Sequence, residues 1–152
     1  MIKILFVCHG NICRSPMAEF LMKELVRSRG LEKQFHIESA ATSSEELGNP
    51  VYPPVRTLLQ KRGISCAGKT ARKLTKADYA AFDYIVGMDQ YNYRNMLRCF
   101  GSDPEEKVSL LLQHCGIHRD VADPWYTGDF HTTEEDVTQG CTALLDHILS
   151  QK

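Results

Sequence analysis

The sequence lacks an excess of either charge: 18 Lys+Arg stand against 19 Asp+Glu, a formal net charge of −1. A general nucleic-acid binder carries a basic footprint, so that class is excluded, although a local basic pocket is not. No apolar run approaches the roughly 20 residues of a membrane-spanning helix. The apolar run Ile2–Val7 is too short for an export leader, and no small-residue cleavage site follows it. The expectation is a cytoplasmic protein, with non-classical export as the alternative, and with neither nucleic acid nor membrane among its partners. Repeats, low-complexity tracts and linkers are absent, and tryptophan occurs once. Cysteine is the exception, with six residues at 8, 13, 66, 99, 115 and 141. None forms CxxC, so no zinc pattern is present, and without a leader a disulfide framework is not expected.

What is there reads as one α/β domain over residues 1–152, of ordinary globular composition with 43% hydrophobic and 24% charged residues. Short apolar runs at Ile2–Val7, Phe35–Ser39, Asp83–Met88 and Val108–Leu112 have the look of buried parallel strands. Between them lie helical patterns. Ala18, Leu21, Met22, Leu25 and Val26 form one face of a helix over 16–29, with Ser15 as its expected N-cap and Gly30 as its stop. Further helices are expected from Val51 to Gly63, from Thr75 to Phe82 and from Gln90 to Phe100. The last runs from the Thr132–Glu135 capping box through Val137, Cys141, Leu144, Leu145, Ile148 and Leu149. Strand–helix alternation predicts a four-stranded parallel sheet between helical layers. Ligands of such sheets bind at the carboxyl ends of the strands, which singles out the loops 8–15, 39–50 and 113–130.

The first of these loops, Cys8-His-Gly-Asn-Ile-Cys-Arg-Ser15, runs from a buried strand straight into a helix N-terminus. Free N–H groups and the helix dipole favour an anion there. Gly10 and Asn11 tolerate left-handed backbone, which turns successive N–H groups toward one centre. Arg14 adds a planar fork for two oxygens of a phosphate. The same positive field favours the thiolate of Cys8, and Ser15 can donate a hydrogen bond to it. A thiolate beneath a bound tetrahedral oxyanion is arranged for in-line displacement at phosphorus. The leaving oxygen then needs a proton, and on these grounds Asp120, Asp123 and Asp129 are all candidate acids in the loop after the fourth strand.

The stretch Val7-Cys-His-Gly-Asn-Ile-Cys-Arg-Ser-Pro-Met-Ala-Glu19 resembles the N-terminal signature of the low-molecular-weight protein tyrosine phosphatases. The resemblance continues through Ser39–Ser43, Gly48-Asn-Pro50, Phe82–Ile85 and Met88-Asp89 to Asp123-Pro-Trp-Tyr126. It implies a flavodoxin-like three-layer sandwich with strand order 2-1-3-4, and hydrolysis of phosphotyrosine and aryl phosphates through a phosphocysteine, without cofactor or metal. It assigns catalysis to Cys8, Arg14, Ser15 and Asp123, deciding against Asp120 and Asp129. His9, Gly10, Asn11, Ile12 and Cys13 would surround the substrate, with Trp125 and Tyr126 as an apolar wall. Asn11 and Ser39 would support the loop, and a reversible Cys8–Cys13 disulfide would guard the nucleophile. Many animal relatives place an aromatic in the loop after the second strand; here Glu45 occupies that place, which weakens ring stacking on that side and disfavours acidic peptides. Lys69 stands where relatives often have histidine and is given no role. The partners implied are tyrosine-phosphorylated proteins and, as in bacterial relatives, a tyrosine kinase; the assembly expected is a monomer or weak dimer.

Three other readings share the loop. Thioredoxin-coupled arsenate reductases need a further cysteine pair after the third strand, where only Cys66 and Cys99 bracket the region. Protein arginine phosphatases of this scaffold favour Thr at the position of Ile12, and a non-catalytic phosphotyrosine-binding module would have no need of Cys8, Arg14 and Asp123 together. The remaining histidines, His36, His114, His118, His131 and His147, read as structural or solvated, and the Lys61-Arg62 and Arg72-Lys73 pairs as solvated helix ends.

Overall fold

Four strands, β1 (Ile2–Cys8), β2 (Phe35–Ala41), β3 (Tyr84–Gly87) and β4 (Val108–Leu110), pair in the order β2-β1-β3-β4, all in parallel. This is the expected sheet. The structure, a computed structural model, describes residues 1–151. Six α-helices accompany the sheet: α1 (Arg14–Ser28), α2 (Pro53–Lys61), α3 (Asp78–Ala81), α4 (Gln90–Phe100), α5 (Pro124–Thr127) and α6 (Phe130–Ser150).

The period of two along β1 makes the layers. Ile4 and Phe6 enter a core shared with Met17, Met22, Leu59, Leu144 and Leu145 of α1, α2 and α6. Leu5 and Val7 point the other way, into a core with Phe82, Met96 and Phe100. With both faces covered, the strand reads as an unbroken apolar run rather than an alternating one. Gly87 lets α4 lie close to the sheet, since a Cβ there would come within 2.6 Å of Met96 Cε.

Several local expectations are corrected. Ser15 is not an N-cap: α1 starts at Arg14, and the residue before it, Cys13, makes no side-chain cap. The Ser15 hydroxyl is taken by Cys8 and Asn11 instead. The last helix starts at Phe130, not Thr132, because Asp129 caps it by accepting from Thr132 N at 3.0 Å. β4 ends at Leu110, where the Gln113 side chain accepts from the Leu110 N–H and the chain tightens into a 3-10 turn over Leu111–Cys115. Only Asp78–Ala81 of the expected 75–82 helix is helical; Asp78 still reaches back to Thr75 N at 2.8 Å. Arg72 is no solvated helix end. It lies outside the helices and forms a fork onto both oxygens of Asp78, 3.1 and 3.2 Å, while Glu38 stands at 3.3 Å. Arg62 pairs with Glu134 of α6.

Candidate active site

The three loops singled out by the strand ends converge on one cavity of about 120 Å³, lined by residues of 8–14, by Glu45 and Glu46, and by Asp123, Trp125 and Tyr126. A larger open cleft of about 640 Å³, with Arg56, Cys66 and Lys69 in its wall, contains none of the nucleophile, fork or acid. Size therefore does not mark the site; chemistry does.

The candidate nucleophile, Cys8, is buried in the cavity lining. Cys8 Sγ receives the backbone N–H of Asn11 at 3.3 Å and of Ser15 at 3.4 Å, and lies 3.0 Å from Ser15 Oγ. The loop turns at Asn11, whose φ of 59° lies in the left-handed region. Gly10 does not share that conformation, contrary to expectation. Asn11 alone takes the strained turn, and its side chain braces it: Nδ2 donates to Ser15 Oγ at 2.8 Å and Ser39 Oγ at 2.9 Å, and Oδ1 accepts from Arg72 N at 3.1 Å. Asn11 and Ser39 thus meet as supports.

The direction of this hydrogen-bond chain is set from its far end. Glu19 is 4% exposed, and its carboxylate faces two ammonium groups, Lys23 at 2.6 Å and Lys69 at 3.6 Å. A carboxylate only accepts, so Ser39 Oγ donates to it, at 2.5 Å. Ser39 must then accept from Asn11. Ser15 also accepts from Asn11, which leaves the Ser15 hydroxyl proton free to point at Cys8. A donor aimed at the sulfur stabilises the thiolate. Lys69, given no role in the sequence reading, belongs to this support: it also donates to the Ser39 carbonyl at 2.9 Å. Burial and neighbouring Arg72 hold its amine below the ordinary lysine value in spite of Glu19.

Arg14 is buried, with 3% exposure. Its Nη1 donates to Asp89 Oδ2 and to the Val121 carbonyl, both at 2.8 Å, and its Nη2 stands 3.6 Å from Asp123 Oδ2. Burial opposes its charge, but Cys8, Asp89 and Asp123 outweigh that and hold the guanidinium above its ordinary value. Asp89 was missed as a functional residue. It caps α4 through Oδ1, accepting Asn92 N at 2.7 Å, and aims the fork through Oδ2. The Asp-x-x-Asn spacing is legible as a capping box; its grip on Arg14 is not.

The candidate acid, Asp123, is part-buried, with Oδ1 accepting Trp125 N at 3.1 Å. The local rivals are occupied elsewhere: Asp120 accepts from Gln90 N, and Asp129 caps α6. Trp125 stands 4.8 Å, ring to ring, from Tyr52, which lies 6.0 Å from Phe130. Tyr52 N donates to the Ile12 carbonyl, so the wall is tied back to the first loop. Tyr126 is 83% exposed. Cys13 lines the same cavity, and burial together with the Cys8 charge pushes its thiol up to about 12, so it is protonated at neutral pH. Cys66 belongs to the same buried cluster as Cys8 and also lines the larger cleft, while Cys99 packs on the opposite face of the sheet. Cys141 is core, as expected, and burial raises its thiol. Among the described residues no group of three or more His, Cys, Asp or Glu could hold a metal ion.

Residues 3–152 of the chain match the family model of the low molecular weight phosphotyrosine protein phosphatases. The chain belongs to this family. It is 37% identical to the low molecular weight protein-tyrosine-phosphatase YfkJ of Bacillus subtilis, covering 100% of this chain and 99% of that protein. Their structures agree with a TM-score of 0.96, covering 100% of this chain and 97% of the other. The low molecular weight phosphotyrosine protein phosphatase of Gallus gallus is 39% identical, over 94% of this chain and 93% of its own. A Drosophila arginine phosphatase matches at 30% identity with a TM-score of 0.87, covering 97% of this chain and 98% of that one.

Proposed function

We propose that Cys8 attacks the phosphorus of phosphotyrosine in proteins, in line with the leaving phenolate. The S–P bond forms as the P–O bond breaks, giving a phosphocysteine and a phenolate that takes a proton from Asp123. Arg14 and the loop amides hold the equatorial oxygens, whose charge is best stabilised in the transition state. In the second step Asp123 takes a proton from water, the water oxygen bonds phosphorus, and the Cys8 thiolate leaves with the Ser15 hydroxyl donating to it. The observation that carries this reading is the convergence of Asn11 N, Ser15 N and Ser15 Oγ on Cys8 Sγ beneath the Arg14–Asp123 pair.

Ile12, buried in the cavity wall, favours an aromatic ring over a guanidinium and so supports tyrosine over arginine as the phosphorylated residue. The redox reading is a further part of the proposal: peroxide oxidises Cys8 to a sulfenic acid, and the protonated Cys13 thiol condenses with it, releasing water and forming the disulfide. The setting for this chemistry is the cytoplasm, where thiols are kept reduced. A tyrosine kinase acting on the same proteins, and a monomer or weak dimer, complete it.

The test is turnover of matched phosphotyrosine, phosphoarginine and phosphoserine peptides by the parent, Cys8→Ser and Asp123→Ala. Phosphotyrosine should lead, Cys8→Ser should be inactive, and Asp123→Ala should lose more rate with poor leaving groups than with good ones. Undiminished turnover in Cys8→Ser would sink the mechanism.

A further inference from the structure

The buried face of α6 changes character along its length. From Val137 to Ile148 it is made of small and apolar residues, but its first two buried residues are polar: Thr133, fully buried, and Asp136, 5% exposed. Burying a hydroxyl and a carboxylate is unfavourable unless each finds a partner. Both partners lie in the segment that leads to Asp123. Thr133 Oγ1 donates to the carbonyl of Ala122, directly before the acid, at 3.1 Å, and stands 3.3 Å from the Asp129 carbonyl one turn back. Asp136, three residues on and so on the same side of the helix, accepts both arms of the Arg119 guanidinium at 2.8 Å. We infer that Thr133 is a positioning residue for Asp123, and that the Arg119–Asp136 pair is the second grip of α6 on the same segment. The inference rests on Asp123 as the acid and names what holds its carboxyl in place.

Residues 120–123 lie in neither helix nor strand, so their backbone polar groups have no ladder of their own to join. Neighbouring elements supply the partners. Val121 N donates to the Met88 carbonyl at 2.9 Å, and the Val121 carbonyl accepts Arg14 Nη1. Thr133 takes the next carbonyl from the α6 side, and Trp125 N holds the Asp123 carboxyl itself. These anchors matter because Asp123 faces a cation. Its Oδ2 stands 3.6 Å from Arg14 Nη2, beyond hydrogen-bond length. A carboxylate free to close that gap would occupy the arm of Arg14 that a phosphate oxygen needs, and would stay ionised where a proton donor is required. The grip on the backbone keeps the carboxyl apart from the fork. Thr133 has the shape for this task. Its branched side chain has few rotamers, and its buried hydroxyl, set between two carbonyls, has no water to turn to.

The experiment measures kcat/KM of Thr133→Val, Thr133→Ser, the pair Arg119→Met/Asp136→Leu, Asp123→Ala and Thr133→Val/Asp123→Ala. The substrates are phenyl phosphate, whose leaving group needs a proton, and para-nitrophenyl phosphate, whose leaving group needs it far less. Thr133→Val keeps the shape and removes the donor. It should lose about tenfold on phenyl phosphate and about twofold or less on para-nitrophenyl phosphate, a fraction of what a well-placed general acid supplies. Thr133→Ser should restore most of the phenyl phosphate rate. The Arg119→Met/Asp136→Leu pair, which strands no charge, should show the same selective loss to a smaller degree. In the Asp123→Ala background Thr133→Val should cost nothing more, because the group it positions is gone. Thermal melting accompanies each rate, since a loosened fold slows both substrates alike and a displaced acid does not. A Thr133→Val loss equal on the two substrates, or one that persists in Asp123→Ala, would overturn the positioning role. An Arg119→Met/Asp136→Leu pair with the parent's selectivity would overturn the second grip. An Asp123→Ala variant equally slowed on both substrates would instead overturn the acid assignment on which the inference rests.

Discussion

Replacing Glu19 by Gln tests whether a buried carboxylate beneath the first loop sets the direction of the hydrogen-bond chain to Cys8. Glu19 receives Ser39 Oγ at 2.5 Å, Lys23 at 2.6 Å and Lys69 at 3.6 Å, all of them donors. A Gln of the same shape must turn its amide N–H groups toward one of these, so a donor meets a donor in either orientation. Lys23 is partly exposed and can swing to water. Lys69, with 13% of its side chain exposed, cannot do so freely. Breaking a buried pair and leaving one charge behind costs about 3–5 kcal/mol, and Lys69 keeps its bond to the Ser39 carbonyl, so the low end applies, about 3–4 kcal/mol. For a chain of this size that is a fall in Tm of about 6–16 °C.

The companion variant decides the cause. Burial already disfavours the Lys69 charge with Glu19 beside it. Replacing both charged partners should therefore hurt less than stranding one, and Glu19→Gln/Lys69→Met should recover roughly half of the lost stability. With Ser39 and Asn11 no longer held in one orientation, kcat/KM of Glu19→Gln should fall about tenfold, the equivalent of one hydrogen bond. Calorimetric melting and steady-state kinetics on an aryl phosphate read both quantities. A Tm within about 3 °C of the parent, or a double variant no more stable than the single one, would refute the reasoning.

Asp89→Asn keeps the α4 cap but turns an amide N–H toward the buried Arg14, which retains its bond to the Val121 carbonyl, so kcat/KM should fall about 10- to 100-fold and stability by about 1–3 kcal/mol; a rate within twofold of the parent would show that Asp89 does not aim the fork. Gly140→Ala in α6 would place a Cβ against the Leu111 side chain, 2.9 Å from Cδ2, and the overpacking cost of about 1–3 kcal/mol should outweigh the helix-propensity gain of about 1 kcal/mol, so Tm should drop; an unchanged or higher Tm counts against the tight α6 contact. His114 is held below its ordinary value of 6.5 by burial and by His147. The unfolded chain therefore takes up this proton first: the contribution is complete above about pH 6.5 and is lost as pH falls toward the lower folded value. Urea midpoints between pH 5 and 8 should decline on the acid side, and His114→Gln should flatten that decline; an identical slope in the variant would exclude His114 as its source.

Much of the site was legible because it is contiguous. The strand, the loop from Cys8 to Ser15 and α1 follow one another in the chain, so the nucleophile, the fork and the turn at Asn11 are neighbours by covalent necessity. The acid Asp123 was legible only through its resemblance to a motif, since Asp120 and Asp129 have the same chemistry and a similar place. All three accept a backbone N–H, but of the three only Asp123 lines the cavity and stands beside Arg14. Element ends were less legible. Ser15 carries every mark of an N-cap, but its hydroxyl belongs to Cys8 and Asn11, a demand made by the site and not by the helix.

The sequence by itself determined the buried strands, the helix faces, the parallel order through its family motifs, and the thiol-and-guanidinium loop, because these follow from local pattern and from adjacency along the chain. Only the tertiary structure decided that Asp89 aims Arg14, that Glu19 and Lys69 stand behind Ser39, that Tyr52 backs Trp125, and that Glu45 holds His9. Each of these joins residues far apart in the chain. Their meeting depends on strand register, such as Cys8 beside Ala41, and on the depth at which each helix lies against the sheet. Packing sets those quantities, and no short stretch of residues encodes them.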